Sequence, residues 1–138
     1  MKSNEFYNTV KKITLKDARY APDAYEFVND AVIFTVKLFE QQKGKARHVT
    51  GMELLVGIKE YAIKKFGPMS LEIFQEWGIR EPISIGNIVF NMIEYNLLSK
   101  TDKDSLDDFN VNYNFEEELR RPFIPKILKR QKKLPKIA

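Results

Sequence analysis

Arg47 and His48 stand side by side just ahead of an expected helix start, and His48 is the only histidine in the chain. An imidazole titrating near neutrality can act as a general base. A neighbouring guanidinium could hold an anion beside the free N–H groups of a helix N-terminus. No nucleophile or orienting carboxylate accompanies the pair at a recognisable spacing. The six glycines are scattered, without a Walker or dinucleotide pattern. No residue is therefore assigned a catalytic role. Arg47 and His48 stand as candidate anion or ligand contacts, and two solvated side chains in a connector are the competing account. The chain has no cysteine, which excludes disulfides, thiol chemistry and cysteine-ligated zinc. With a single histidine, a protein-only zinc site would need carboxylates for all its other ligands. No cofactor and no metal are expected.

The segment DKDSLDDFNVNYNFEEE, residues 102–118, invites comparison with a calcium loop. Such a loop needs oxygen ligands at alternate positions, glycine at the sixth and a bidentate acid at the twelfth. Counted from Asp102, the fifth residue is Leu106, the sixth Asp107 and the twelfth Tyr113. The pattern fails at each, and a solvated acidic turn is expected instead.

The charge distribution carries more information. The net charge is +4, yet the last acidic residue is Glu118. Beyond it come Arg120, Arg121, Lys126, Lys129, Arg130, Lys132, Lys133 and Lys136, which make the tail +8. The preceding body holds the other 15 basic residues against 19 acidic ones and is −4. A segment of this kind suits a polyanion: RNA, a ribonucleoprotein surface, a DNA backbone or an anionic membrane. Pro122, Pro125 and Pro135 interrupt any continuous helix, which weakens the membrane version. A solubilising tail, or one folded back on the acidic body, is the alternative.

The elements that would position these groups are mainly helical. Phe6, Val10 and Ile13 have helical spacing over residues 4–15. Residues 23–42, started by Pro22 or Asp23, read as a long apolar helix with a stripe so wide that it should be largely covered. A polar connector, QKGKAR, follows. Thr50 and Glu53 have capping-box spacing, and Val49 and Leu54 that of a hydrophobic staple. The helix they start should end at Gly67, with Pro68 opening the next. That one should stop at Gly78, and Ser84 is the expected cap of a helix running to Asn96, with Ile83 and Ile88 as its staple. After it, LLSK, the turn TDKDS and the alternating DFNVNYNF predict a small β-hairpin. The predicted fold is thus mainly α with that hairpin: a winged helix-turn-helix-like half over 48–116, within a single globular domain 1–118, followed by the basic tail 119–138. The helix in the recognition position, 84–96, has no lysine or arginine and carries Glu94, so base reading by that face is not expected.

Residues 47–109 include RHVTG, ELL, FGPM, EWGI, IVFN and LLSKT. These words resemble a family of short bacterial proteins carrying Arg-His-Val-Ser/Thr-Gly and the same later motifs, over roughly residues 20–118. The family is uncharacterised, so the resemblance implies no activity, cofactor or catalytic residue. It implies a bacterial cytoplasmic protein, and the long basic tail departs from the family's shorter ending. The N-terminal MKSNEFYNTVKKI lacks the apolar core of a secretory signal, and AVIFTVKLF is too short to span a bilayer; both fit a cytoplasmic expectation.

Three functional expectations follow. The first is a non-enzymatic protein whose tail binds RNA, ribonucleoprotein or DNA backbone without sequence-specific readout. The second is a protein-interaction adaptor or homodimer using the apolar surfaces of helix 23–42 or helix 84–96. The third is an enzyme using His48 with Arg47.

Overall fold

The structure is a computed structural model that describes residues 2–43, 49–101 and 104–124, and among these residues it is entirely helical. Ser3 caps α1 (Asn4–Lys16), its Oγ accepting the Phe6 N–H at 3.2 Å. Val10 and Ile13 are the buried residues of this helix, three positions apart on one face.

The second helix, α2 (Pro22–Lys43), occupies the span expected for it. It is not the largely covered apolar helix expected. Ala24, Tyr25, Phe27, Val28, Ala31 and Thr35 are buried, whereas Asp23, Ile33, Lys37 and Glu40 are exposed. Val32, Phe34, Val36, Leu38 and Phe39 are half-buried along the flanks. Large side chains at the edge of a buried stripe cover its border without needing a partner of their own.

The start of α3 (Gly51–Phe66) has both bonds of a capping box. The Glu53 N–H donates to Thr50 Oγ1 at 3.1 Å, and the Thr50 N–H donates to Glu53 Oε1 at 3.0 Å. Lys64 and Lys65 lie in the last turn, where positive charge favours the helix dipole. Gly67 closes the helix at φ 56°, and a 3₁₀ turn over Gly67–Met69 leads into α4 (Ser70–Glu76). Gly78, at φ 89°, then reverses the chain, and the Ile79 N–H reaches back to the Phe74 carbonyl at 2.8 Å. A Cβ on Gly78 would lie 2.3 Å from the backbone oxygen of Arg19, so close approach and left-handed geometry both require glycine here.

In α5 (Pro82–Glu94) the cap differs from expectation. Pro82 takes the first helical position, Glu81 is the N-cap, and Ser84 sits inside the first turn with its Oγ 3.4 Å from the Glu81 nitrogen. Proline has no N–H to leave unsatisfied, so the helix can begin three residues earlier than a Ser84 cap would dictate. Asn96 adopts φ 63° and closes the helix, with the Leu97 N–H on the Met92 carbonyl at 2.8 Å.

No strand is present among the described residues, which removes the predicted β-hairpin and with it the winged helix. Ser105 caps a 3₁₀ turn over Leu106–Phe109: the Asp107 N–H donates to Ser105 Oγ, and the Ser105 N–H to Asp108 Oδ2, each at 3.0 Å. Asn114 caps α6 (Phe115–Arg120), its Oδ1 accepting the Glu117 N–H at 3.1 Å. The alternation of DFNVNYNF is real, but its polar members are Asp and Asn. Two of them, Asp108 and Asn114, satisfy nearby backbone N–H groups and so compete with a strand ladder.

The core draws on residues from Val10 to Leu119. At one end Phe27 contacts Tyr61, Phe66, Phe74 and Trp77, with ring centroids 5.3–5.6 Å away. The α2–α3 pair forms the tightest crossing: Gly57 lies so close to buried Thr35 that a Cβ would fall 1.8 Å from its Oγ1.

Candidate functional site

Of the eight tail cations singled out in the sequence, Arg120 and Arg121 are described. They sit at the end of α6, which is held to the core by buried Phe115 and Leu119. Arg121 Nη2 donates to Glu117 at 2.9 Å and lies 3.2 Å from Glu118. Arg120 lies 3.7 Å from Glu116 and 3.8 Å from Glu72 of α4. Exposed pairs of this kind stabilise weakly. They set acidic partners beside both guanidinium groups, with which a polyanion would have to compete. Phe123 and Ile124, next along the chain, are exposed. Lys126, Lys129, Arg130, Lys132, Lys133 and Lys136 lie outside the described residues.

Arg47 and His48 also lie outside the described residues. Just after them, Val49, Thr50 and Gly51 line a cavity of about 70 Å³ between α2, α3 and α5. Its walls are Val32, Leu54, Val89, Ile93 and Phe109, with Lys100, Asp104 and Asp108 at the rim. Pockets for organic ligands run to roughly 300–1,000 Å³, so this one is sized for a side chain or a few atoms. Among the described residues no group of three or more His, Asp or Glu side chains could hold a metal ion.

Helix α5 was expected in a recognition position, and the structure turns it inward instead. Its only exposed residue is Glu94, and that side chain pairs with Lys16 of α1 at 3.1 Å. Asn87 donates to the Tyr20 hydroxyl at 2.8 Å. Asn91 donates to the Tyr25 hydroxyl at 3.0 Å and to Asp17 Oδ2 at 2.9 Å. Asp17 also takes two bonds from the Arg19 side chain, at 2.7 and 2.9 Å. These amides, spaced four apart on one helix face, lock α5 against the α1–α2 corner and are not available to a ligand. The network escaped sequence reading because only the i, i+4 asparagine spacing signals it.

Two carboxylates in this framework titrate low. The Arg19 guanidinium bonded to Asp17 holds that carboxyl well below the usual carboxylate range, even though partial burial opposes the shift. The Lys59 ammonium, 2.9 Å from Glu118 across the α3–α6 contact, lowers the Glu118 carboxyl. A folded-state pKa below the unfolded value, about 3.9 for Asp and 4.3 for Glu, adds stability that is present above those values. It is lost as pH falls through the lowered folded values. The urea midpoint is therefore expected to hold between pH 7 and about pH 5 and to drop below that, with a shallower acid drop in Asp17→Asn and Glu118→Gln. Tyr113 moves the other way: its hydroxyl is buried without a partner among the described residues, and burial pushes it up to about 12. It is neutral at physiological pH and cannot serve as a base.

No protein-family signature matches the chain, and no curated protein and no solved structure matches it either. Among the described residues no helix is long and apolar enough to cross a membrane.

Proposed function

We propose that this chain is a non-enzymatic binding protein whose basic C-terminal segment contacts RNA, a ribonucleoprotein or a DNA backbone without reading base sequence, in the cytoplasm. The observation that carries it is charge segregation, a −4 body followed by a +8 tail. Phosphate neutralisation needs clustered cations and no preformed pocket. With Arg120 and Arg121 engaged by glutamates, the contacts fall to Lys126, Lys129, Arg130, Lys132, Lys133 and Lys136. Base reading is absent from the proposal because α5 spends its polar side chains on the body of the protein. That same burial favours this function over an adaptor or homodimer that would use helix 84–96 or helix 23–42, since both supply core residues.

The test is binding of the full chain to labelled single-stranded RNA and duplex DNA of unrelated sequences across a salt series. Six phosphate contacts predict a slope of log K against log salt of roughly −4 for single strands and roughly −5 for duplex. Replacing the six cations together by glutamine should remove most of the affinity, while Arg120→Ala with Arg121→Ala should change it little. Salt-independent binding, or affinity unchanged in the sixfold variant, rules the proposal out.

A further inference from the structure

Where the first turns of α2 meet the last turn of α3 and the end of α4, the surface holds an open cleft of about 190 Å³. Buried Phe27 and half-buried Phe66 and Trp77 line it together with Asp23, Glu26 and Lys65. The Phe66 and Trp77 rings stand nearly perpendicular, at 77° with centroids 5.7 Å apart. Neither Asp23 nor Glu26 takes part in an ion pair among the described residues. The chain's own Lys65 ammonium already lies 5.9 Å from the Phe66 ring centre, so a ring of this cleft has a cation over it in the folded protein.

We infer that this cleft is a binding site for a methylated ammonium group, the cationic head of choline-like or trimethyllysine-like molecules. Aromatic faces attract cations through the ring quadrupole, and a desolvated cation gains most. Asp23 and Glu26, neither in an ion pair among the described residues, supply the long-range attraction, opposed in part by the Lys65 ammonium of the same lining. Trimethylation decides the class. Asp23 and Glu26 could also accept from a primary ammonium, but that head turns its N–H groups to carboxylate and water, whereas a methylated head has none to satisfy and presents methyls to the rings. The site is independent of the basic tail and of polyanion binding.

Trp77 is the only tryptophan in the chain and lines the cleft, so its fluorescence reports occupancy directly. The full chain is titrated with tetramethylammonium chloride against sodium chloride at matched ionic strength. A saturable change specific to tetramethylammonium, in the millimolar range, is expected. Asp23→Asn with Glu26→Gln should weaken it about tenfold, and Lys65→Met, which removes the resident cation, should strengthen it several-fold, effects in line with cation–π and charge contributions. Parallel titrations with choline and with Nε-trimethyllysine should both saturate, and the tighter of the two identifies the source of the head. The inference is overturned by an absent or salt-equivalent response in the parent protein, by full affinity in a folded carboxylate variant, or by weaker binding in Lys65→Met.

Discussion

Gly57→Ala is expected to destabilise the protein by about 3 kcal/mol and to lower its melting temperature by roughly 10 °C. The added methyl would sit 1.8 Å from Thr35 Oγ1, 2.7 Å from its Cβ and 2.8 Å from its Cγ2. Thr35 cannot swing aside. It is fully buried, β-branched, and its hydroxyl donates to the Ala31 carbonyl at 2.6 Å. The helices must therefore separate, and a close-packed interior loses contacts along the whole seam when they do. Because Thr35 Cβ is itself within clashing distance, Thr35→Ala should restore little of the loss, and Thr35→Gly in the Gly57→Ala background should restore most of it. Urea denaturation of the four proteins reads this directly. Equal stability of Gly57→Ala and the parent would mean that the α2–α3 crossing is looser than the structure has it.

Phe109→Ala is expected to cost about 4 kcal/mol, in the upper range for a buried aromatic. The ring is buried between Gly51 of α3 and Gly86 of α5; a Cβ on Gly86 would lie 2.8 Å from it and one on Gly51 would lie 3.4 Å away. Phe109 also walls the 70 Å³ cavity, so its removal enlarges an existing void, and the penalty grows with that volume. A paired measurement separates packing from loss of the 3₁₀ turn. Gly86→Ala should destabilise the parent protein, whose Phe109 ring occupies the space, and should be neutral or favourable once Phe109 is alanine. If Gly86→Ala has the same effect in both backgrounds, the ring does not occupy the seam.

These two positions mark the limit of what periodicity and punctuation convey. Thr50 with Glu53, Gly67, Gly78 and Asn96 act as the helix boundaries their types indicate, because capping and positive φ are local requirements met by local side chains. Ser84 misleads, since Pro82 beside it is a stronger start signal. The alternating segment 108–115 misleads further. Period two describes which side chains are apolar, but whether a strand forms depends on backbone groups finding a ladder. Here Ser105, Asp108 and Asn114 satisfy nearby N–H groups first. For the candidate sites, the tail charge is legible as composition alone. The engagement of Arg120 and Arg121 by glutamates, and the meeting of Phe66, Trp77, Asp23 and Glu26 at one cleft, are not, because residues from three helix ends come together only in the fold.

The sequence by itself determined where α3 starts and ends and which residues close α4 and α5, that no thiol chemistry is available, and that positive charge is segregated beyond Glu118. Each of these is a property of neighbouring residues or of plain counting. Only the tertiary structure decided that Gly57 and Gly86 are contact points and not flexible positions, that Asn87 and Asn91 face inward to Tyr20, Tyr25 and Asp17, and that the acidic segment carries the core residues Phe109 and Phe115. The physical reason is shared. A helix offers several faces to its neighbours, and which face is buried depends on contacts between residues as much as 78 positions apart, such as Lys16 with Glu94. Local propensity carries no term for them.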